Sequence, residues 1–339
     1  LRNRSFDAWK QEMEAAGIRV IDPGALLKSR ALEQGPQYLA TDTHWRPEAM
    51  RAVVAMVKAQ IGNPFEMIPF MFSFEMEEKT QVGDIGVMLE LPEGQTVVQP
   101  ETVTIRRVLQ DGDAWRPSRD AEVLVLGDSF TNIYSVEAMG WGASAGFAEQ
   151  LSAELGKPVD RISRNDAGAF ATREILVSDL AADPKRLDGK TTVIWQFAER
   201  ELAVGNWKVL PLVGPDVPAG QLTVGPDVPA GQSAEQQDSV AENGGGDDDG
   251  LLMRDVGDGD VLALLGYLAN ERFTEQPAFE AKGGWLFLTD ELRHLGTGKF
   301  WGEMANQTRA TKDPDPFAAI VDLHQKLDAL GIELILMPA

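Results

Sequence analysis

Four consecutive aliphatic residues, Val123 to Leu126, run directly into Gly127-Asp128-Ser129, with Phe130, Thr131 and Asn132 behind them. A short apolar run bounded by turn residues reads as a strand buried on both faces, the kind found in parallel sheets covered by helices. Sheets of that kind collect ligands and chemistry at the carboxyl ends of their strands. Ser129 falls at such an end, behind a glycine that permits a tight turn and a close backbone approach. A helix starting here would add the Ser129 backbone N–H to an anion-binding site. Position and residue type suit a nucleophile.

The flanking chain supplies the rest of an α/β fold. Phe6, Trp9, Met13 and Ala16 recur at helical spacing over 5–16, with Ser5 as the expected N-cap. Gly17 ends that helix, and 18–22 reads as a strand. A short helix over 24–33 and a longer one opening at Pro47 follow, the latter with Met50, Val53, Val54, Val57 and Ile61 on one face. Past Ser129, a helix carries Phe147, Leu151 and Leu155 and stops at Gly156. Strands are expected at 159–163 and 192–197, with a helix over 172–182 between them. Between 63 and 120 the pattern loosens into an aromatic, Met-rich stretch from Phe65 to Phe74 and strands at 96–98 and 102–108. This is an insertion covering one end of the sheet. The fold class expected is a three-layer α/β/α sandwich with a mainly parallel sheet and a small inserted β-rich region.

Composition narrows the partners. Fifty-three acids against 31 bases leave a net charge of −22, which works against nucleic acid as a ligand. It also works against an acidic polymer unless arginines gather locally. With no cysteine, disulfides, thiolate catalysis and cysteine-based zinc sites are ruled out. No apolar run approaches 18 residues, so no membrane span is expected.

Beyond Leu212 the character changes. Residues 213–220 are repeated as 224–231, and 232–250 are acidic and low in complexity, ending Gly-Gly-Gly-Asp-Asp-Asp-Gly. The stretch 213–250 reads as a disordered linker. Residues 251–339 then resume ordered patterning. An apolar helix is expected near 260–270, and a strand over 284–288 after a Gly283-Gly284 turn. A helix over 316–330 has Asp315 as N-cap, Pro316 first, and Ile320, Leu323, Leu327 and Leu330 inward. A core strand follows over 332–337. The chain thus ends on a strand and opens into a helix, and both features follow if residues from about 275 precede residue 1 in the fold. That is the order of a circular permutant, the favoured reading; a fragment of a tandem array and segments standing out of their biological order are the alternatives. The permuted order makes 1–212 and 251–339 one catalytic domain and places strand 332–337 beside strand 122–126.

A serine needs a base, best held by a carboxylate. Only three histidines occur, and one of them, His44, stands two residues after Asp42 in Thr-Asp-Thr-His-Trp. In an extended segment residues i and i+2 point the same way, so Asp42 can lie beside His44. His294 reads as a loop histidine without a carboxylate at a telling spacing, and His324 as the flank of an amphipathic helix. An Asp-x-His also serves as a hydrogen-bonded loop histidine or as part of a metal site, the latter without a second ligand cluster here.

Together these segments resemble the SGNH-hydrolase-like alginate O-acetyltransferases, periplasmic proteins of bacterial exopolysaccharide acetylation. The resemblance lies in Tyr38-Leu-Ala-Thr-Asp-Thr-His-Trp, Val125-Leu-Gly-Asp-Ser-Phe-Thr-Asn-Ile-Tyr and Gly140-Trp-Gly-Ala-Ser-Ala-Gly-Phe. It continues in Arg164-Asn-Asp-Ala-Gly-Ala-Phe-Ala-Thr-Arg-Glu, Trp195-Gln-Phe-Ala-Glu-Arg-Glu-Leu and Gly284-Trp-Leu-Phe-Leu-Thr-Asp-Glu-Leu. The last of these stands near the beginning of the domain in that family, in keeping with the permuted order. The resemblance implies Ser129 as nucleophile, His44 as base and Asp42 as its orienting acid. The oxyanion hole would combine the Ser129 N–H with Asn165 or Arg173, and Tyr134 would either line the acceptor cleft or serve as a core aromatic. Neither cofactor nor metal is called for.

The implied activity is O-acetyl transfer to hydroxyls of an alginate-like exopolysaccharide through an acetyl-serine. The implied partners are a polysaccharide acceptor and an acetyl donor, the latter a protein of an acetylation or export complex, and the implied location is the periplasm. A carbohydrate acetylesterase of the same fold and a non-catalytic polysaccharide-binding or assembly protein are the alternatives.

Overall fold

The computed structural model describes residues 2–61, 71–92, 94–96, 98–166, 168–212, 278–280, 286–308 and 312–339. The duplicated linker, the acidic stretch, the helix expected near 260–270, the Gly283-Gly284 turn and most of the aromatic stretch from Phe65 lie outside them. Ten strands are described, in chain order. They are β1 (Arg19–Val20), β2 (Phe72–Gln81), β3 (Glu101–Gln110), β4 (Asp113–Ala114) and β5 (Val123–Gly127). Then come β6 (Asp160–Ser163), β7 (Thr192–Phe197), β8 (Ala278–Glu280), β9 (Leu286–Leu288) and β10 (Glu333–Pro338).

The central sheet is five-stranded and parallel, in the order β1-β10-β7-β5-β6. Its inner strands are buried on both faces, as their uninterrupted apolar runs require. Val123 and Val125 of β5 enter one core with Ile194 of β7 and Ile335 and Met337 of β10. Leu124 and Leu126 enter a second core with Val193, Trp195, Leu334 and Leu336. The first core is closed by the helices Pro47–Ile61 and Phe147–Leu155, the second by Phe6–Ala15, Ala171–Ala182 and Pro316–Asp328. Each aliphatic side chain so buried contributes about 1.5–3 kcal/mol. This is the expected α/β/α layering of an SGNH-like fold.

Strand β10 shares the sheet with β5 but is not its neighbour. It pairs with β7 on one side and β1 on the other, and β7 separates it from β5. The runs at 192–197 and 332–337 are both mainly apolar, with Thr192 and Gln196 polar in one and Glu333 in the other, so periodicity does not say which lies beside β5. Residues near the two ends of the chain meet on one residue: the Glu199 N–H donates to the Ala339 carbonyl at 2.9 Å, and Arg2 Nε lies 3.7 Å from Glu199 Oε2.

Two local expectations change. Ser5 stands at the N-cap of the first helix, but its side chain makes no capping bond; its own N–H donates to Asn3 Oδ1 at 2.7 Å. Leu330 lies past the end of its helix and is 56 % exposed, because that helix closes at Asp328.

The inserted region is a three-stranded antiparallel sheet, β2-β3-β4. Strand β3 covers the expected 102–108, but its long partner is β2, and residues 96 and 98 form bends. Val98 instead packs in a small core with Ile85, Ala278 and Leu286. In strand β2 the alternation of Phe72, Phe74 and Met76 stops at the polar run from Glu77 to Gln81, and none of its ten residues is buried, so the pattern does not mark its full length. Between β2 and β3 the short helix Asp84–Met88 folds back onto the 38–45 loop. Its approach depends on Gly83, where a Cβ would stand 2.3 Å from the Asp42 Cβ and 2.5 Å from the Thr41 carbonyl oxygen.

Candidate active site

Strand β5 ends at Gly127, where a Cβ would lie 2.2 Å from Thr131 Oγ1, so only glycine lets the next turn fold back this tightly. Asp128 then caps the helical turn Ser129–Asn132: its Oδ1 accepts from the Phe130 N–H at 2.9 Å. Its Oδ2 accepts from the Ala198 N–H at 2.6 Å, tying the end of β5 to the end of β7. From β7, Gln196 Oε1 accepts from Thr131 Oγ1 at 2.6 Å and from the Asp128 N–H at 3.3 Å. Ser129 therefore sits on a pinned turn at the carboxyl ends of two central strands, 9 % exposed.

The second stretch is a narrow loop pinched by a bridge between Tyr38 and Trp45. Within it His44 Nδ1 lies 2.5 Å from Asp42 Oδ1, and both side chains are 2 % exposed. An ionised carboxylate only accepts, so Nδ1 carries the proton and Nε2 presents a lone pair. Asp42 Oδ2 accepts from Trp141 Nε1 at 2.9 Å and from the Asp84 N–H at 3.0 Å. Burial pushes the Asp42 carboxyl up, but the His44 bond and charge and these N–H donors outweigh it and hold it low. Burial likewise works against the charged imidazole, and the Asp42 bond with the charges of Asp42 and Asp84 outweighs that, so the His44 pKa is raised. Asp84 was not legible in the sequence. It accepts from the Thr43 N–H at 2.9 Å and from Thr43 Oγ1 at 2.8 Å, and its Oδ2 stands 3.9 Å from His44 Nδ1. Nothing local links it to Asp42; the insertion delivers it.

Asp42, His44 and Asp84 offer ligand atoms within 4.8 Å of one another, the spacing of a metal site. Their oxygens already accept from backbone N–H groups, the Trp141 indole, the Thr43 hydroxyl and His44. A donor-satisfied set of this kind orients an imidazole.

The two stretches meet through Phe130, the residue after Ser129, whose ring centroid is 4.8 Å from that of His44. His44 Nε2 is buried and has no hydrogen-bond partner among the described residues, so its bond to the Ser129 hydroxyl is not closed in this conformation. Catalytic hydrogen bonds often tighten only when substrate is bound. Asn165 is near: the Arg164 N–H donates to the Gly127 carbonyl at 3.0 Å, and Asn165 Oδ1 accepts from Asn132 Nδ2, on the Ser129 turn, at 2.7 Å.

Arg173 and Tyr134 are placed elsewhere. The Arg173 guanidinium stacks over Trp195, 4.8 Å from the ring centroid, within the second core, and burial drops its pKa to about 10. That core lies on the face of the sheet away from Phe130, so Arg173 is not among the groups around Ser129. Tyr134 is fully buried in the first core, and its hydroxyl donates to the Trp45 carbonyl at 2.7 Å. It braces the loop that carries His44, the core role that was its second reading. His294 proves to be helical and buried, with Nε2 2.9 Å from Glu199 Oε1, a carboxylate 95 residues away in the chain. His324 stays on the flank of its helix, half-buried.

A parallel sheet between two helical layers, with a Gly-Asp-Ser turn at its carboxyl edge and an inserted antiparallel sheet, defines an SGNH-hydrolase-like domain. Residues 1–199 match the family model described as "SGNH hydrolase-like domain, acetyltransferase AlgX", and with well over half of the sequence covered the chain belongs to that family. Among solved structures, the O-acetyltransferase domain of Pseudomonas putida AlgJ is 21% identical with a TM-score of 0.42, covering 58% of this chain and 64% of its own. Pseudomonas aeruginosa AlgX is 16% identical with a TM-score of 0.35, covering 57% of this chain and 54% of its own. The chain thus spans less than two thirds of either. No curated protein sequence matches it.

Proposed function

We propose that the protein is an O-acetyltransferase that moves acetyl groups to hydroxyls of an alginate-like exopolysaccharide, with Ser129 as acetyl carrier. The observation that carries this reading is the buried Asp42–His44 pair, whose free Nε2 lies on the ring that Phe130 touches, one residue from Ser129. As Ser129 Oγ attacks the acetyl carbonyl, His44 Nε2 takes its proton, and Asp42 stabilises the imidazolium. The oxyanion is held by the Ser129 N–H at the start of its helical turn, with Asn165 as the side-chain donor. One such donor is worth about 10²–10³ in rate. The proton passes from His44 to the leaving group, which departs as the acetyl-serine ester forms. A sugar hydroxyl then gives its proton to His44 and attacks the ester, releasing the O-acetyl sugar and Ser129. Family membership supports acetylation chemistry in exopolysaccharide synthesis. It also supports a periplasmic location and a donor presented by a partner protein, and no helix among the described residues is long and apolar enough to cross a membrane.

The test is acetyl release from a chromogenic aryl acetate by wild type and Ser129→Ala, with and without deacetylated polymer. Loss of turnover in the variant, and acetyl groups appearing on the polymer with wild type, are the expected results. Equal rates for the two proteins would sink the assignment. Turnover that depends on Ser129 but never labels polymer would make the protein an esterase.

A further inference from the structure

Asn132 ends the helical turn that Ser129 begins. Residues three apart on such a turn are neighbours on one face, so the two side chains issue from the same side. There Asn132 Nδ2 donates to Asn165 Oδ1 at 2.7 Å. Asn132 is 4 % exposed, whereas Asn165 stands open to solvent on the 164–166 loop. The backbone of that loop is tied down separately, by the Arg164 N–H on the Gly127 carbonyl at 3.0 Å. The bond to Asn132 is the one hydrogen bond that the Asn165 side chain makes among the described residues.

An amide side chain has a donor end and an acceptor end, and the two are not interchangeable. With its Oδ1 held by Asn132, Asn165 turns Nδ2 and two N–H donors away from Asn132, free for another acceptor. The pair gains nothing by turning round. As it stands, one acceptor, Asn132 Oδ1, is buried without a partner among the described residues. Reversing both amides would satisfy that oxygen, but it would bury the Asn132 nitrogen with two unpaired N–H groups and use up an Asn165 donor. Leaving buried polar groups unpaired is costly, and the reversed pair orphans two donors in place of one acceptor. Without Asn132, no side chain would set which end of the exposed Asn165 amide faces the nucleophile.

We infer that Asn132 is a positioning residue for acetyl transfer. It fixes the Asn165 amide with the nitrogen free to donate to the oxyanion, and it acts on the reaction only through Asn165. The inference rests on the acetyl-transfer reading above and on the place of Asn165 in it; the polarity of the Asn132–Asn165 bond does not.

The experiment is a double-mutant cycle in aryl acetate turnover, with Asn132→Asp, Asn165→Ala and the two combined. A carboxylate only accepts, so Asn132→Asp draws the Asn165 nitrogen toward itself and leaves an oxygen where the donor stood. The expected result is a kcat about 10²–10³ lower, the loss of one oxyanion donor, with KM little changed. In the Asn165→Ala background the same substitution should lower kcat no further. Asn132→Leu cannot hold the amide at all, and supplies the same cycle without a charge; its loss of kcat should likewise vanish in the Asn165→Ala background. If Asn132→Asp does not fold, the leucine cycle decides. A wild-type kcat in the Asn132 variants overturns the inference. So does a loss of the same size in both backgrounds, which a purely structural Asn132 or a bare charge effect would give. Asn165→Ala turning over at the wild-type rate overturns it too, and leaves the role of Ser129 standing. A mistaken acetyl-transfer reading shows separately, as Ser129→Ala protein that cleaves the aryl ester as fast as wild type.

Discussion

Asp84 provides the sharpest test of how the insertion serves the site. Asp84→Asn removes one of the carboxylates near His44 while keeping shape and most hydrogen-bonding capacity. At 3.9 Å, two unit charges interact by about 1 kcal/mol at the permittivity of water and about 4 kcal/mol at an effective value of 20. The Asp84 side chain is 35% exposed, so the lower part of that range applies, about 1–2 kcal/mol. The His44 pKa, raised by Asp42 and Asp84 together, should then fall by about one unit, since each unit corresponds to about 1.4 kcal/mol. A base works only when deprotonated, so the acidic limb of the kcat/KM–pH profile for aryl acetate moves about one unit toward lower pH. The plateau drops about 5–30-fold as the imidazolium loses stabilisation. A purely structural Asp84 would lower the plateau without moving the limb, and an unmoved limb refutes the electrostatic argument. The linked stability runs both ways. His44, with a raised folded pKa, contributes fully below its unfolded value of 6.5, and that contribution is lost as pH rises through the folded value. Asp42, with a lowered folded pKa, contributes above its unfolded 3.8, and loses that as pH falls through the folded value. The pair therefore stabilises most between those limits, and Asp84→Asn should flatten the upper one.

Trp141→Phe deletes the indole N–H that binds Asp42 Oδ2 at 2.9 Å, and should lower unfolding stability by about 2–3 kcal/mol in a urea titration, as expected for a buried bond to a charged acceptor. An unchanged midpoint would show that the carboxylate recruits another donor. Gly83→Ala adds a methyl 2.3 Å from the Asp42 Cβ and should cost about 1–3 kcal/mol of stability while displacing the Asp–His pair, read as a fall in aryl acetate turnover. Arg173→Met replaces a buried guanidinium whose Nε and Nη2 have no partners among the described residues, and should raise the unfolding midpoint; a lower midpoint would mean that its stacking on Trp195 outweighs desolvation.

Local patterning carried much of this protein. The apolar run Val123–Leu126 could only be a strand buried on both faces, and its glycine, aspartate and serine made the turn at its end readable as a site. Asp42 and His44 were readable as a pair from their i, i+2 spacing, although the chain bends over 40–44 and joins them through the His44 N–H on Asp42 Oδ1 at 3.1 Å, where an extended segment was expected. The helices at Pro47, Phe147 and Pro316 announced themselves through apolar faces and caps. Such features depend on neighbours within a few residues, where backbone geometry alone sets who meets whom. The rest was decided by packing between segments that no spacing connects. Strand β2 alternates only at Phe72, Phe74 and Met76 before a polar run, yet its ladder with β3 anchors the insertion. The insertion in turn lays Asp84 against Asp42 through an approach that only Gly83 permits. Arg173 stands in a loop-and-helix stretch that looks ready for an oxyanion, but the indole of Trp195 draws it into the opposite core. His294 has Asp290 and Glu291 four and three residues before it on its own helix, yet its Nε2 meets Glu199, 95 residues away and just past β7. Two mainly apolar runs, 192–197 and 332–337, competed for the place beside β5, and hydrophobicity, having no direction, could not choose between them.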